Sequence, residues 1–288
     1  MDFPQALRER RTRRRLSQLE LADRAGTTQR HLSFIETGRS TPGRDLVVRL
    51  AESLELPLRE RNDLLLSAGF APAYPSGALD GPELAPVLDA LRHILTGHLP
   101  CPAVVVDRYG ELVAANAAFG LLTEGVPAEL LGPAANVYRV ALHPQGLAPR
   151  IGNFAEWAQH VLTGLRREAE RHPDERLDAL HAELRSYLPD RAPATAPLGF
   201  AVPLELHSRH GLLRLITTIT TFATAADVTL AELKLEAFLP ADRATSAILS
   251  KLGGAQRQGR RAGGADPEDE GIHSRTSLMN SIPDNPQE

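Results

Sequence analysis

The chain contains one cysteine, Cys101, so it cannot form a disulfide within itself, and a stapled secreted scaffold is excluded. It has no apolar run near the roughly 20 residues that a membrane-spanning helix needs. No apolar signal segment follows the charged N-terminus. A cytoplasmic location with no membrane partner is therefore expected. The glycine patterns Gly-x-Gly-x-x-Gly and Gly-x-x-x-x-Gly-Lys-Ser/Thr, the nucleophile elbow Gly-x-Ser-x-Gly and the zinc motif His-Glu-x-x-His are all missing. His207 and His210 flank a predicted turn without the carboxylates or cysteines that would complete a metal site. These absences predict no catalytic residues, no metal and no cofactor. Lysine is also scarce, with two residues among 32 basic ones, a ratio that reflects codon usage more readily than function.

A chain of 288 residues with 42% hydrophobic content exceeds one small module and supports at least two domains. The overall formal charge of −4 does not suggest a polyanion partner, but its distribution does. Over residues 1–50 there are 11 arginines against 6 acidic residues, a balance of 11 − 6 = +5, and 6 of those arginines lie between Arg8 and Arg15. An arginine run is often only a solvated helix face, so these residues stay ambiguous as DNA contacts.

The segment SQLELADRAGTTQRHLSFIETG, residues 17–38, reads as two short helices joined by a tight turn. Ser17 and Glu20 form a Ser-x-x-Glu capping box. Gly26 sits where the chain must turn, and Thr28 is placed to cap the next helix. In that helix Leu32 and Ile35 share the inward face, leaving Gln29, Arg30, Ser33 and Phe34 outward and able to meet base edges. Two amphipathic helices around a glycine also occur in bundles that bind nothing; the arginine-rich helix before and Gly38-Arg39-Ser40-Thr41-Pro42 after argue for DNA.

With LSQLELA, GTTQRHLSFIETG and the Pro42 turn, residues 1–70 resemble the Xre/Cro-type helix-turn-helix family. That resemblance implies a five-helix all-α domain, an Arg11–Glu36 pair tying the first helix to the recognition helix, and base-reading positions at Gln29, Arg30 and Phe34. Phe34 departs from the usual polar residue and suits an apolar contact with a thymine methyl. Ser17, Gln18, Thr28, Ser33, Arg39, Ser40 and Arg44 complete the expected DNA-binding set, with Arg39, Ser40 and Arg44 as phosphate contacts. One recognition helix touches few base pairs, so a homodimer on double-stranded operator DNA is expected, its half-sites about one helical turn apart.

A helix over about Pro57 to Ala68 is stopped by Gly69, and prolines and glycines across residues 71–82 mark a linker. Beyond it the pattern predicts a helix from Pro86 to Leu95 and a hairpin of Ala103 to Asp107 with Glu111 to Ala115. Asn116 is expected to cap the next short helix, and longer helices follow over Phe154 to Arg171 and Pro173 to Leu188. Strands are predicted over 199–207, 211–223 and Thr229 to Leu239. In the last of these, Leu233, Leu235 and Leu239 take one face and Glu232, Lys234 and Glu236 the other. This order describes an α+β domain with a five-stranded antiparallel sheet, helices crossing one face, as in PAS-like sensors.

The segments PAVVVDRYGELVAANAAF, NVYRVALHPQGLAPRIGNFAEW and VPLELHSRHGLLRLITTITTFATAADVTLAELKLEAFLPADRAT make residues 83–250 resemble the ligand-binding domain of MmyB-like transcriptional regulators. The resemblance implies a PAS-like fold that in some members holds a fatty acid. An elongated apolar cavity with one polar anchor would be needed. Tyr138, Arg139, His143 and Arg150 are candidate anchors because arginine pairs well with a carboxylate, and Trp157, Val161 and Leu165 form a stripe that covers the sheet or lines the cavity. Plain core and structural roles remain open for all seven. Residues 251–288 have too few apolar groups to offset ordering and are expected to be disordered. The expectation is a DNA-binding transcriptional regulator with a small apolar effector. The alternatives are a second domain that binds a protein partner, or an enzyme domain fused to a DNA-binding module.

Overall fold

The computed structural model describes residues 2–79, 81–132, 135–188, 202–222, 225–263 and 272–274. It separates into two compact units, Met1–Leu84 with Phe222–Ala231, and Ala85–Thr221 with Glu232–Glu288. The first unit contains helices α1 (Phe3–Arg13), α2 (Gln18–Arg24), α3 (Gln29–Glu36), α4 (Arg44–Ser53) and α5 (Leu58–Ser67). Their starts follow the capping chemistry of the sequence. Asp2 accepts the Gln5 N–H at α1, the full Ser17/Glu20 box opens α2, and the Thr28 hydroxyl accepts the His31 N–H at α3. Gly26 takes φ +65°, a left-handed conformation that a Cβ would strain. Leu7, Leu21, Leu32, Ile35, Leu50 and Leu65 form the shared interior.

The second unit begins with α6 (Ala85–Gly97) and the hairpin β1 (Ala103–Val106) and β2 (Leu112–Asn116). Then come α7 (Phe119–Leu122), α8 (Val137–Leu142), α9 (Phe154–Arg171) and α10 (Glu175–Ser186). A second hairpin, β3 (Leu204–Ser208) and β4 (Gly211–Thr221), is followed by β5 (Lys234–Pro240) and α12 (Arg243–Gly263); between β4 and β5 lies α11 (Val228–Ala231), a part of the first unit. The five expected strands lie in the order β3-β4-β5-β1-β2, antiparallel throughout, and a short β6 (Ile272–Ser274) adds to the β2 edge.

Four expectations are corrected. Thr229 to Leu239 is not one strand: Asp227 Oδ1 accepts the Leu230 N–H and starts the turn of α11, so the strand begins only at Lys234. The sheet is not covered on one face alone. Val104 and Val106 join the cluster that holds Trp157, Leu165 and Leu177, while Val105, Leu235 and Ala237, pointing the other way, are equally buried. Helix α6 packs against β1 and β2, and α12 against β4 and β5. Asn116 caps no helix; it is fully buried, accepts the Ala103 N–H and donates to the carbonyls of Leu95 and Cys101. The tail expected to be disordered from residue 251 contains the continuation of α12 and β6; the rest of it lies outside the described residues.

Candidate DNA interface and ligand cavity

In the first unit, the inner face of α3 is held by Leu32 and Ile35, both without solvent exposure, and by Glu36 at its end. Arg11 donates from Nε to Glu36 Oε1 at 2.6 Å and from Nη2 to Oε2 at 2.9 Å, the pair implied by the family resemblance. A third Arg11 bond reaches the Leu16 carbonyl, and Gln18 Nε2 donates to Glu36 Oε2 at 2.9 Å. Glu36 holds the Arg11 guanidinium above its ordinary pKa through this hydrogen bonding. Helix α3 is thus oriented by apolar packing along its length and by an ionic clamp at its C-terminus.

Turning α3 this way leaves Gln29 and Arg30 exposed and Ser33 and Phe34 half-exposed along its outer surface. The Arg30 guanidinium carbon stands 5.4 Å from the centroid of the Phe34 ring, so the two make one flat, cationic and apolar patch. Arg39 and Arg44 are exposed at its flank. The remaining candidates have roles within the fold: the Ser17 and Thr28 hydroxyls cap helices, Gln18 is tied to Glu36, and Ser40 Oγ lies 3.4 Å from His31 Nε2. Much of the arginine run is also engaged internally. Arg10 and Arg13 face Glu60 at 3.5 and 3.6 Å, and Arg14 donates to the Glu55 carbonyl.

The second unit forms a partly open cavity of about 450 Å³ between α8, α9 and the β4–β5 part of the sheet. The expected stripe of Trp157, Val161 and Leu165 lines it, and Tyr138 joins them from α8. Cross-strand register explains the opposite wall. Thr217 pairs with Phe238, Ile219 with Glu236 and Thr221 with Lys234, so alternate residues of β4 and β5 point to the same side. Gly110, at φ +81°, passes against the Tyr138 ring so closely that a Cβ there would overlap it. Gly110→Ala is therefore expected to shift Tyr138 and lower both thermal stability and affinity for any cavity ligand, measured by melting and titration.

The other candidate anchors do not reach this cavity. Arg139 forms a bidentate pair with Glu183, with both bonds at 2.7 Å. His143 packs edge-on against the Tyr187 ring, 5.0 Å between centroids, and its Nδ1 accepts the Gln145 N–H. Arg150 donates to the carbonyls of His207, Leu122 and Glu124; only its Nη2 lacks a partner. Proximity in sequence grouped these residues with Tyr138, but the turn of α8 and the 3₁₀ helix Ala148–Arg150 carry them away from it.

Sequence reasoning missed the group that faces the cavity instead. Glu236 lines it, is 8% exposed, and makes no hydrogen bond or ion pair among the described residues. Strand alternation places it only on the face opposite the leucines, and a glutamate alternating with leucines ordinarily marks the wet side of a strand. Burial pushes its carboxyl above the usual range, partly opposed by Lys234. The other lining charges are paired: Lys234 with Glu168 at 3.7 Å, and Arg108 with Asp174 at 3.2 Å and Glu232 at 3.3 Å. Burial, with Glu236, Glu168 and Asp107 nearby, likewise raises the Tyr138 phenol.

A carboxyl whose pKa is raised on folding is neutral in both states at low pH; the ionised unfolded chain then gains as pH climbs through the unfolded and folded values. Glu236→Gln is therefore expected to raise the melting temperature by several degrees at pH 8 and by much less at pH 4, read by differential scanning calorimetry. The same gain at both pH values would show that Glu236 carries no ionisation penalty.

Among the described residues, no group of three or more histidine, cysteine, aspartate or glutamate side chains could hold a metal ion. No helix among them is long and apolar enough to cross a membrane. Burial raises the pKa of the Cys101 thiol above its ordinary value.

An exposed recognition-type helix in one unit and a partly open, mostly apolar cavity in the other define a DNA-binding protein with a small-molecule domain. Residues 7–61 match the helix-turn-helix family model, and residues 87–252 match that of the MmyB-like transcription regulator ligand binding domain. The second match covers more than half of the chain, which belongs to this family of ligand-responsive transcription regulators. No curated protein matches it.

Proposed function

We propose that the protein binds operator DNA as a homodimer through Gln29, Arg30, Ser33 and Phe34, with Arg39, Ser40 and Arg44 on phosphates, and that a small apolar effector in the second unit controls this binding. The observation that carries the DNA half is the exposed outer row of α3, held outward by the Leu32, Ile35 and Glu36 anchors. The effector half rests on the cavity lined by Tyr138, Trp157, Val161 and Leu165, which suits an apolar body such as the alkyl chain of a fatty acid.

Chain connectivity supplies a route between the two activities. Strands β4 and β5 line the cavity, and the segment that joins them, Phe222–Ala231, is part of the first unit. There Asp227 Oδ2 accepts the Gly77 N–H at 2.9 Å, Thr229 Oγ1 donates to the Gly77 carbonyl at 2.7 Å, and the Val228 N–H reaches the Pro75 carbonyl. A ligand that favours one arrangement of the β4–β5 hairpin would bias this clip, as regulation requires differential affinity for two states.

Fluorescence anisotropy of the full chain on DNA from its own upstream region tests the reading, with native mass spectrometry reporting dimer and bound small molecule. Expected are a dimer on DNA, a co-purifying small molecule and operator affinity that changes when it is removed. Asp227→Ala should leave ligand and DNA binding in place but reduce the coupling between them severalfold. A protein partner in place of a small molecule would favour the alternative in which the second domain docks a protein.

A further inference from the structure

We propose that the effector of the cavity is a lipophilic organic cation, a protonated amine on an apolar body, with Glu236 as its counter-ion. This rests on the sensor reading above and specifies its ligand class. The carboxyl of Glu236 lines a cavity whose wall is mostly apolar and aromatic but also carries Arg108, Lys234, Glu168 and His160; it is 8% exposed and has no hydrogen-bond or ion-pair partner among the described residues. A buried carboxyl without partners is costly to keep. A bound ammonium group would remove that cost by forming a charge-assisted hydrogen bond in a site of low dielectric.

The surroundings agree with a cation. Tyr138, Trp157 and Phe238 line the same cavity, and the face of an aromatic ring attracts positive charge. The two cationic side chains in the wall are engaged with Glu168, Asp174 and Glu232, so with Glu236 four carboxylates face two cations around this space. A ligand carboxylate would meet Glu236, while the arginine and the lysine of the wall are already held in ion pairs. A fatty acid therefore suits the walls of the cavity but not its polar end.

Isothermal titration of the full chain with decylammonium, decanol and decanoate, which share one alkyl chain and differ in head group, separates these possibilities. Decylammonium is expected to bind at least about tenfold tighter than decanoate. Glu236→Gln should reduce decylammonium affinity by about tenfold or more while leaving decanol affinity unchanged, which also shows that the variant cavity is intact. Decanoate binding as tightly as decylammonium, or a Glu236→Gln variant with full decylammonium affinity, would overturn the cation assignment. If decanol binds and the head groups are indistinguishable, the cation assignment alone fails; if none of the three binds, the sensor reading fails with it.

Discussion

Replacing Glu36 with alanine is expected to destabilise the DNA-binding unit by about 3–5 kcal/mol, the usual result of leaving one partner of a buried ion pair uncompensated. The Glu36 side chain is 2% exposed and that of Arg11 13%, so water cannot take over the lost bonds. Two guanidinium N–H groups and Gln18 Nε2 would lose their acceptor at once. Because Glu36 closes the last turn of α3, the recognition surface should lose its orientation before the unit unfolds, and operator affinity should fall with stability. Denaturant unfolding followed by a probe in the first unit measures the effect. The double variant Arg11→Met with Glu36→Leu should recover much of the stability, since removing both charges also removes the desolvation penalty. A Glu36→Ala protein as stable as the parent would show that the clamp contributes little to the fold.

How much of this was legible in the chain depended on whether the signal was local. The caps at Ser17 and Thr28, the turn at Gly26 and the inward positions Leu32 and Ile35 are set by residues a few positions apart, and the structure reproduces each. The same holds for α9, whose bounds match the apolar periodicity, and for the hairpin turn at Gly110. Where the deciding contact is distant in sequence, the reading failed. Asn116 looks like a helix cap, yet its amide donates to the carbonyl groups of Leu95 and Cys101, which only tertiary packing brings together. Arg139 and Arg150 looked free to meet a carboxylate, but Glu183 and three backbone carbonyls, 26 to 57 positions away, hold them. Glu236 was hidden by a rule that is sound for one-sided sheets. At β1 and the middle of β5 both faces of the sheet are covered, so alternation there marks which side a residue takes without saying which side is wet.

Removal of Arg30 and Gln29 from the outer row of α3 is expected to weaken operator binding the most of any surface change, because side chains that pair with base edges carry about 1–3 kcal/mol each. Arg30→Ala should weaken operator binding about tenfold to a hundredfold. Its loss also removes the cation held 5.4 Å from the Phe34 ring, so Phe34 would keep its apolar surface but not the position that Arg30 helps to set. Gln29→Ala should cost a similar factor, and the double variant should approach the level of nonspecific binding. Arg44→Ala, at a phosphate-contact position, should instead weaken specific and nonspecific DNA alike and reduce the salt dependence of binding by about one ion. Competition anisotropy against unrelated DNA at several salt concentrations distinguishes the two outcomes. Equal loss on operator and unrelated DNA for Arg30→Ala would place that side chain on the backbone, and unchanged binding would mean that another surface reads the sequence.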